Sequence, residues 1–200
     1  MPSKTKARED LSHRLDALRK RFSDPDFLAN KGLGNEAGIY LLCYDPSLEL
    51  VVQDEINQLA RECEQGKLGA GPVRVNLKVR NLYDVFLGIA EERHILAKIP
   101  AMEARRGEEG VLTQIKNVVT PERYVKAMDW APHIQGDVLL ITGVGEAYPF
   151  VRAHEVLNCL QSVMQDVPVV VAYPGAYDGG SLSLFGKLHD GHYYRAFDLI

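Results

Sequence analysis

Residues 137–160 place the tightest limit on what this chain can become. Val138-Leu139-Leu140-Ile141 is an unbroken apolar run, which suits a strand buried on both faces. Thr142-Gly143-Val144-Gly145-Glu146 interrupts it, Tyr148-Pro149-Phe150 turns the chain, and a helical pattern follows from Val151. Pro149 fits a first helical turn, where its missing N–H would have had no partner. The stretch therefore reads as strand, tight loop, helix. Val169-Val170-Val171-Ala172-Tyr173 repeats the buried-strand pattern, and Pro174-Gly175 predicts its end. Two such strands separated by a helix predict a parallel sheet with helices on both faces. In sheets of this kind ligands sit at the carboxyl ends of the strands.

The flanking sequence completes a single α/β, Rossmann-like domain with a mostly parallel sheet. Leu11, Leu15, Leu18 and Phe22 share one face of a predicted N-terminal amphipathic helix, so residues 1–30 read as a helical extension and 31–200 as the domain. Gly38–Tyr44 predicts the first strand and Leu48–Glu64 a helix. Val73–Leu77 alternates as a half-exposed strand would, and a helix follows Asn81. Pro100–Gly110, mixed in charge, reads as a solvated connection. Thr120-Pro121-Glu122 starts a further helix. After residue 150 the predicted helix turns Val156, Leu157, Leu160, Val163 and Met164 inward. Leu182, Leu184 and Phe185 read as buried, Asp190-Gly191 as a hairpin turn, and residues 182–200 as an antiparallel edge.

Composition removes several function classes. A net charge of −4 over 200 residues does not advertise nucleic-acid binding. One basic cluster, Lys4, Lys6, Arg8, Arg14, Arg19, Lys20 and Arg21, is the only candidate for DNA contact, and Glu9, Asp10 and Asp16 interrupt it. Cys43, Cys63 and Cys159 have neither metal nor redox spacing, and they read as reduced thiols of a cytoplasmic protein. No apolar run nears the ~20 residues that cross a bilayer. The P-loop, Gly-x-Ser-x-Gly and His-Glu-x-x-His signatures are absent, and Gly32–Glu36 precedes a strand, so it reads as a turn and not a phosphate loop. His189 and His192, three apart in a turn, do not make a convincing metal pair, and no metal or cofactor is expected.

Chemistry gathers in two loops. One carries Thr142, Gly143, Gly145, Glu146, Tyr148, Phe150, Arg152 and His154, with His154 expected on the surface. The other carries Tyr173, Tyr177 and Asp178. Thr142, Gly143, Gly145, Glu146, Arg152, His154 and Asp178 form a candidate ligand site for an anion. Tyr148, Phe150, Arg152, Tyr173 and Tyr177 form a candidate partner interface, because aromatics and arginine dominate interface hot spots.

The ordered series Leu140–His154, Val167–Gly179, Leu184-Phe185-Gly186 and Tyr193–Phe197, with Gly32–Glu36 upstream, resembles the BrxB family of BREX bacteriophage-exclusion systems. The likeness runs from about Lys31 to Ile200. It implies a role in antiviral defence beside a large ATPase, a phosphatase-like PglZ protein and a DNA methyltransferase. It implies no enzymatic activity, so no catalytic role passes to any residue. The expected function is a non-enzymatic adaptor binding PglZ and the ATPase, and the alternative is a domain that binds a nucleotide or other anion and hydrolyses it.

Overall fold

The computed structural model describes residues 3–31, 38–190 and 196–199. Helices α1 (Lys4–Arg21) and α2 (Pro25–Leu28) lead into strand β1 (Ile39–Tyr44) and helix α3 (Glu49–Glu64). A two-strand ribbon, β2 (Gly69–Ala70) and β3 (Val73–Arg74), precedes β4 (Asn76–Asn81). Helices α4 (Leu82–Glu92), α5 (Ile99–Val118) and α6 (Pro121–Met128) lead to β5 (Asp137–Thr142). Then come α7 (Val144–Ala147), α8 (Ala153–Val163), β6 (Val169–Tyr177), β7 (Leu182–Leu184), β8 (Leu188–Asp190) and β9 (Phe197–Asp198).

The main sheet runs β4-β5-β6-β1-β9, every neighbouring pair parallel. Strand alternation divides its side chains between two cores. Ile39, Leu41, Leu139, Ile141, Val169 and Val171 face α4, α5, α6 and α8. Tyr40, Leu42, Val138, Leu140, Val170 and Ala172 face α1, α2 and α3. The sheet is thus buried on both faces, and this is why β5 and β6 carry unbroken apolar runs. Each fully buried leucine or valine contributes about 1.5–3 kcal/mol.

Leu11, Leu15, Leu18 and Phe22 are buried against β1 and α3. Three ion pairs fix α1 further. Arg14 meets Asp198 at 2.6 Å, and Arg19 meets Glu62 at 3.2 Å and Glu55 at 3.4 Å.

Several expectations change. Residues 100–110 are helical within α5, which is kinked at Gly107 (φ 68°). Their charged side chains are exposed and only Val111 and Ile115 are buried, so no apolar stripe marks the first half. The strand expected at 73–77 is displaced to 76–81, because Val73-Arg74 folds back on Gly69-Ala70. Pro149 does not open the helix, because α8 begins only at Ala153. Phe185 and Val163 are exposed at 38% and 47%, not buried. β7 and β8 do form the expected antiparallel addition, but β9 joins β1 in parallel. Gly32–Glu36, Gly191, His192 and Tyr193–Arg195 lie outside the described residues.

Candidate functional site

β5 ends at Thr142, and Gly143 turns the chain in the left-handed region (φ 70°). A Cβ at Gly143 would stand 2.2 Å from Asn81 Oδ1, so only glycine fits. Asn81 caps α4, its Oδ1 accepting from Tyr83 N at 2.7 Å and Asp84 N at 3.2 Å. Its Nδ2 donates to Glu146 at 3.0 Å, and Gln53 donates to the other Glu146 oxygen at 3.2 Å. Gln53 also donates to Glu49 at 3.3 Å, and Tyr44 donates to Glu49 at 2.7 Å. Burial first, then the Glu49 bond and the charges of Glu49 and Glu146, holds the Tyr44 phenol above its ordinary range. These contacts sew together the loops after β1, β4 and β5.

After α7 the chain crosses Tyr148, Phe150 and Val151 to Arg152, which caps α8. Glu155 reaches back to accept from Arg152 N at 3.4 Å. Phe150 is partly buried and stacks on Phe86, centroids 4.4 Å apart and planes 5° apart. His154, expected at the surface, is turned inward and only 7% exposed. A surface histidine is the common case, but this one falls on the inner face of α8 beside Ala153 and Leu157.

β6 continues through Pro174-Gly175, where sequence had predicted its end. It pairs with β1 as far as Pro174 and with β7 from Gly175 onward. Gly175 permits this exchange, since a Cβ there would lie 2.1 Å from Ser183 O. At the end of β6, Tyr177 Oη donates to Ala196 O at 3.2 Å. Asp178 accepts from Gly180 N at 3.0 Å and from Ser181 N and Oγ at 2.7 Å each, and the Ser181 bonds hold its carboxyl below the usual range.

Between the first turn of α8, β6 and the β7–β8 hairpin lies a cavity of about 180 Å³. Tyr148, Arg152 and Tyr173 line it, joined by Lys187, Leu188 and His189. The structure therefore unites three of the sequence candidates. Thr142, Gly143, Gly145, Glu146, Phe150, His154, Tyr177 and Asp178 do not line it. Gly145 packs under the Phe185 ring, because a Cβ there would meet that ring at 2.9 Å. Sequence reasoning missed Lys187 and Leu188 and weighed His189 only as a metal ligand. The signal available was a lysine and a histidine two positions apart, Lys187 and His189, shortly after the second loop.

Other chemistry is sparse. Burial pushes the Cys43 and Cys63 thiols up to about 12, a poor setting for a nucleophile. Among the described residues no group of three or more His, Cys, Asp or Glu side chains is placed to hold a metal ion. Of the basic N-terminal cluster, Arg14 and Arg19 are in the ion pairs described above, and Arg21 lies 5.9 Å over the Tyr40 ring. Lys4, Lys6, Arg8 and Lys20 remain exposed. No described helix is long and apolar enough to cross a membrane.

A family model described as BREX protein BrxB matches residues 78–199, the span that holds β5, α8, β6 and the cavity. This chain belongs to the BrxB family. BREX protein BrxB of Bacillus cereus (strain H3081.97) is 34% identical over 193 residues, covering 95% of this chain and 97% of that one. BREX protein BrxB of Escherichia coli O9:H4 (strain HS) is 30% identical over 194 residues, covering 95% and 92%. The likeness to BrxB proteins thus extends past Lys31 into the N-terminal helices. No solved structure matches the chain. BrxB membership makes it a component of BREX systems, supports a role in BREX defence, and gives it other BREX proteins as partners.

Proposed function

We propose that this BrxB chain is a non-enzymatic adaptor within BREX, with PglZ as its first partner and the BREX ATPase as a second. One observation carries this reading. The β7–β8 hairpin holds Phe185 and Leu188, 38% and 39% exposed, beside the cavity that gathers Tyr148 and Arg152. Exposed apolar side chains grouped with tyrosine and arginine form the kind of patch from which interface hot spots are drawn. Phe150 and Tyr177 serve this surface from behind, one stacked on Phe86 and the other bonded to Ala196. Their loss would act through the shape of the patch. The parallel order β4-β5-β6-β1 with helices on both faces supports reading the scaffold as Rossmann-like.

The test is co-purification with PglZ at low and high salt. The Tyr148→Ala/Arg152→Ala protein should keep its circular dichroism spectrum and lose the complex, weakening it by about tenfold or more, as removal of central aromatic and arginine anchors does. An unchanged pull-down by that double variant would count against this surface.

The cavity lining favours a second reading, a domain that binds a nucleotide or other anion. Arg152, Lys187 and His189 all line the cavity, and among the described residues no carboxylate does. A ligand bound only by the folded state must raise the melting temperature. A flat response to nucleotides and phosphate compounds would sink this reading.

A further inference from the structure

We infer that the outer edge of β4 is a docking site for an extended acidic segment of a partner protein, which adds to the sheet as a further strand. This surface lies two strands away from the hairpin-bearing β6 and goes beyond the adaptor reading, which does not use it.

The edge follows from the ladder. β4 ends the order β4-β5-β6-β1-β9, and among the described residues it pairs with β5 alone. Asn76 N donates to Gly136 O at 2.8 Å, so Asn76, Lys78 and Arg80 turn their main-chain groups toward β5. Leu77 and Val79 turn theirs outward, as Val75 does when its N–H donates to Leu68 O at 3.1 Å. Such a row of main-chain groups is a template for an incoming strand. The six residues of β4 give it about 20 Å of length. Room lies beside it: a groove of about 800 Å³ is lined by Cys63 of α3, Arg74, Leu77 and Lys78.

The side chains select the occupant. Residues 73–81 contain Arg74, Lys78 and Arg80 and no acid, in a chain of net charge −4. Among the described residues none of the three has an ion-pair partner, and Glu64 is the one acid in the groove lining. Leu77 and Val79 pack against the core built on α3, so alternation places Lys78 and Arg80 together on the opposite face. A matching strand alternates in the same way. Its carboxylates stand opposite Lys78 and Arg80, and its apolar side chains lie on the Leu77 and Val79 face. Ile134, 60% exposed, lines the groove and offers those apolar side chains a contact. A second copy of this edge would set cations against cations, which cross-strand pairing disfavours. Nucleic acid would satisfy the cations and leave the main-chain row and Leu77 without partners.

The experiment is fluorescence anisotropy of a labelled octapeptide that alternates glutamate and valine, titrated with the full chain. Two comparison probes are an octapeptide of the same composition with its residues in pairs, Glu-Glu-Val-Val twice, and a short single-stranded DNA. The variants are Lys78→Glu/Arg80→Glu and, separately, Val79→Pro, which removes one outward N–H and leaves the ladder to β5 intact. Melting curves confirm that each variant folds. The alternating peptide should bind, the paired one about tenfold or more weakly, and each variant should weaken the alternating peptide by a similar factor. Equal binding of the paired peptide, or binding that survives both variants, overturns strand addition at this edge. No binding up to about 1 mM overturns the acidic occupant. Tighter binding of the DNA than of the peptide would give the edge to nucleic acid and overturn the protein partner. Self-association of the chain that Val79→Pro abolishes would give it to a second copy, with the same consequence. None of these results touches the hairpin surface, because Tyr148 and Arg152 are unchanged throughout.

Discussion

Tyr124 is fully buried, and its hydroxyl has no hydrogen-bond partner among the described residues. A buried unsatisfied hydroxyl costs about 1–3 kcal/mol, so Tyr124→Phe should raise stability by roughly 1 kcal/mol in urea unfolding. His133 is the complementary case. Its Nδ1 lies 2.8 Å from Asp166 and its Nε2 3.0 Å from Asp129, joining the segment after α6 to the one before β6. Burial acts to lower its pKa, but the bonds and charges of Asp166 and Asp129 outweigh it, and the net position is above the ordinary 6.5. A raised folded pKa means that the stabilisation is fully present below the unfolded value and is lost as pH rises through the folded one. The stability gap between the native chain and His133→Gln should therefore be wider at about pH 6 than at about pH 8. Single residues were legible where burial follows periodicity, as with Leu140 or Leu157. They were not legible where one position decides. Val163 lost its inward place to Met164, which is fully buried at the helix end, and nothing in the local pattern separates the two. Asp178 looked like a site carboxylate because a sequence does not show that its oxygens close a turn.

Among the elements, the loop from β5 to α7 depends on two residues that fit only each other. Gly143→Ala would add a left-handed strain of about 1 kcal/mol and press into the Asn81 amide. Asn81→Ala would remove the α4 cap and the bond to Glu146, costing about 0.5–2 kcal/mol for the cap alone. The double variant Gly143→Ala/Asn81→Ala should cost less than the sum of the two, since the clash partner is gone; urea melts of all four proteins give the coupling directly. The strands β1, β5 and β6 were readable because a two-sided burial leaves an apolar run. Helix α5 was not, since its first half lies on the surface and buries almost nothing. Neither was the entry to α8: a proline after a loop favours a helical start, but Tyr148 before it is extended, and this places the turn outside the helix.

On the scale of the molecule, α1 and α2 share one core with β1 and α3, so the sequence boundary near residue 30 divides the chain without dividing its packing. Removal of residues 1–22 would bare Tyr40, Leu42 and Val52, and the remainder should bind a hydrophobic dye and aggregate; a soluble, cooperatively melting fragment would show that the extension is dispensable. That helices lie on both faces of a parallel sheet was legible, because it follows from apolar runs separated by helical periods. The order β4-β5-β6-β1-β9 was not, because pairing depends on which crossovers close and no single segment records that. β6 is central in that order and is also the strand that carries the hairpin beyond Gly175. Mechanically it is a lever without a joint: one arm is clamped between β1 and β5, and the other bears Phe185 and Leu188. A partner that grips the hairpin loads the central strand of the sheet, and because Val169, Val170 and Val171 point alternately into the two cores, the load reaches both at once. Amide hydrogen exchange along β6 should therefore slow when the hairpin is occupied, far from any surface that the partner touches.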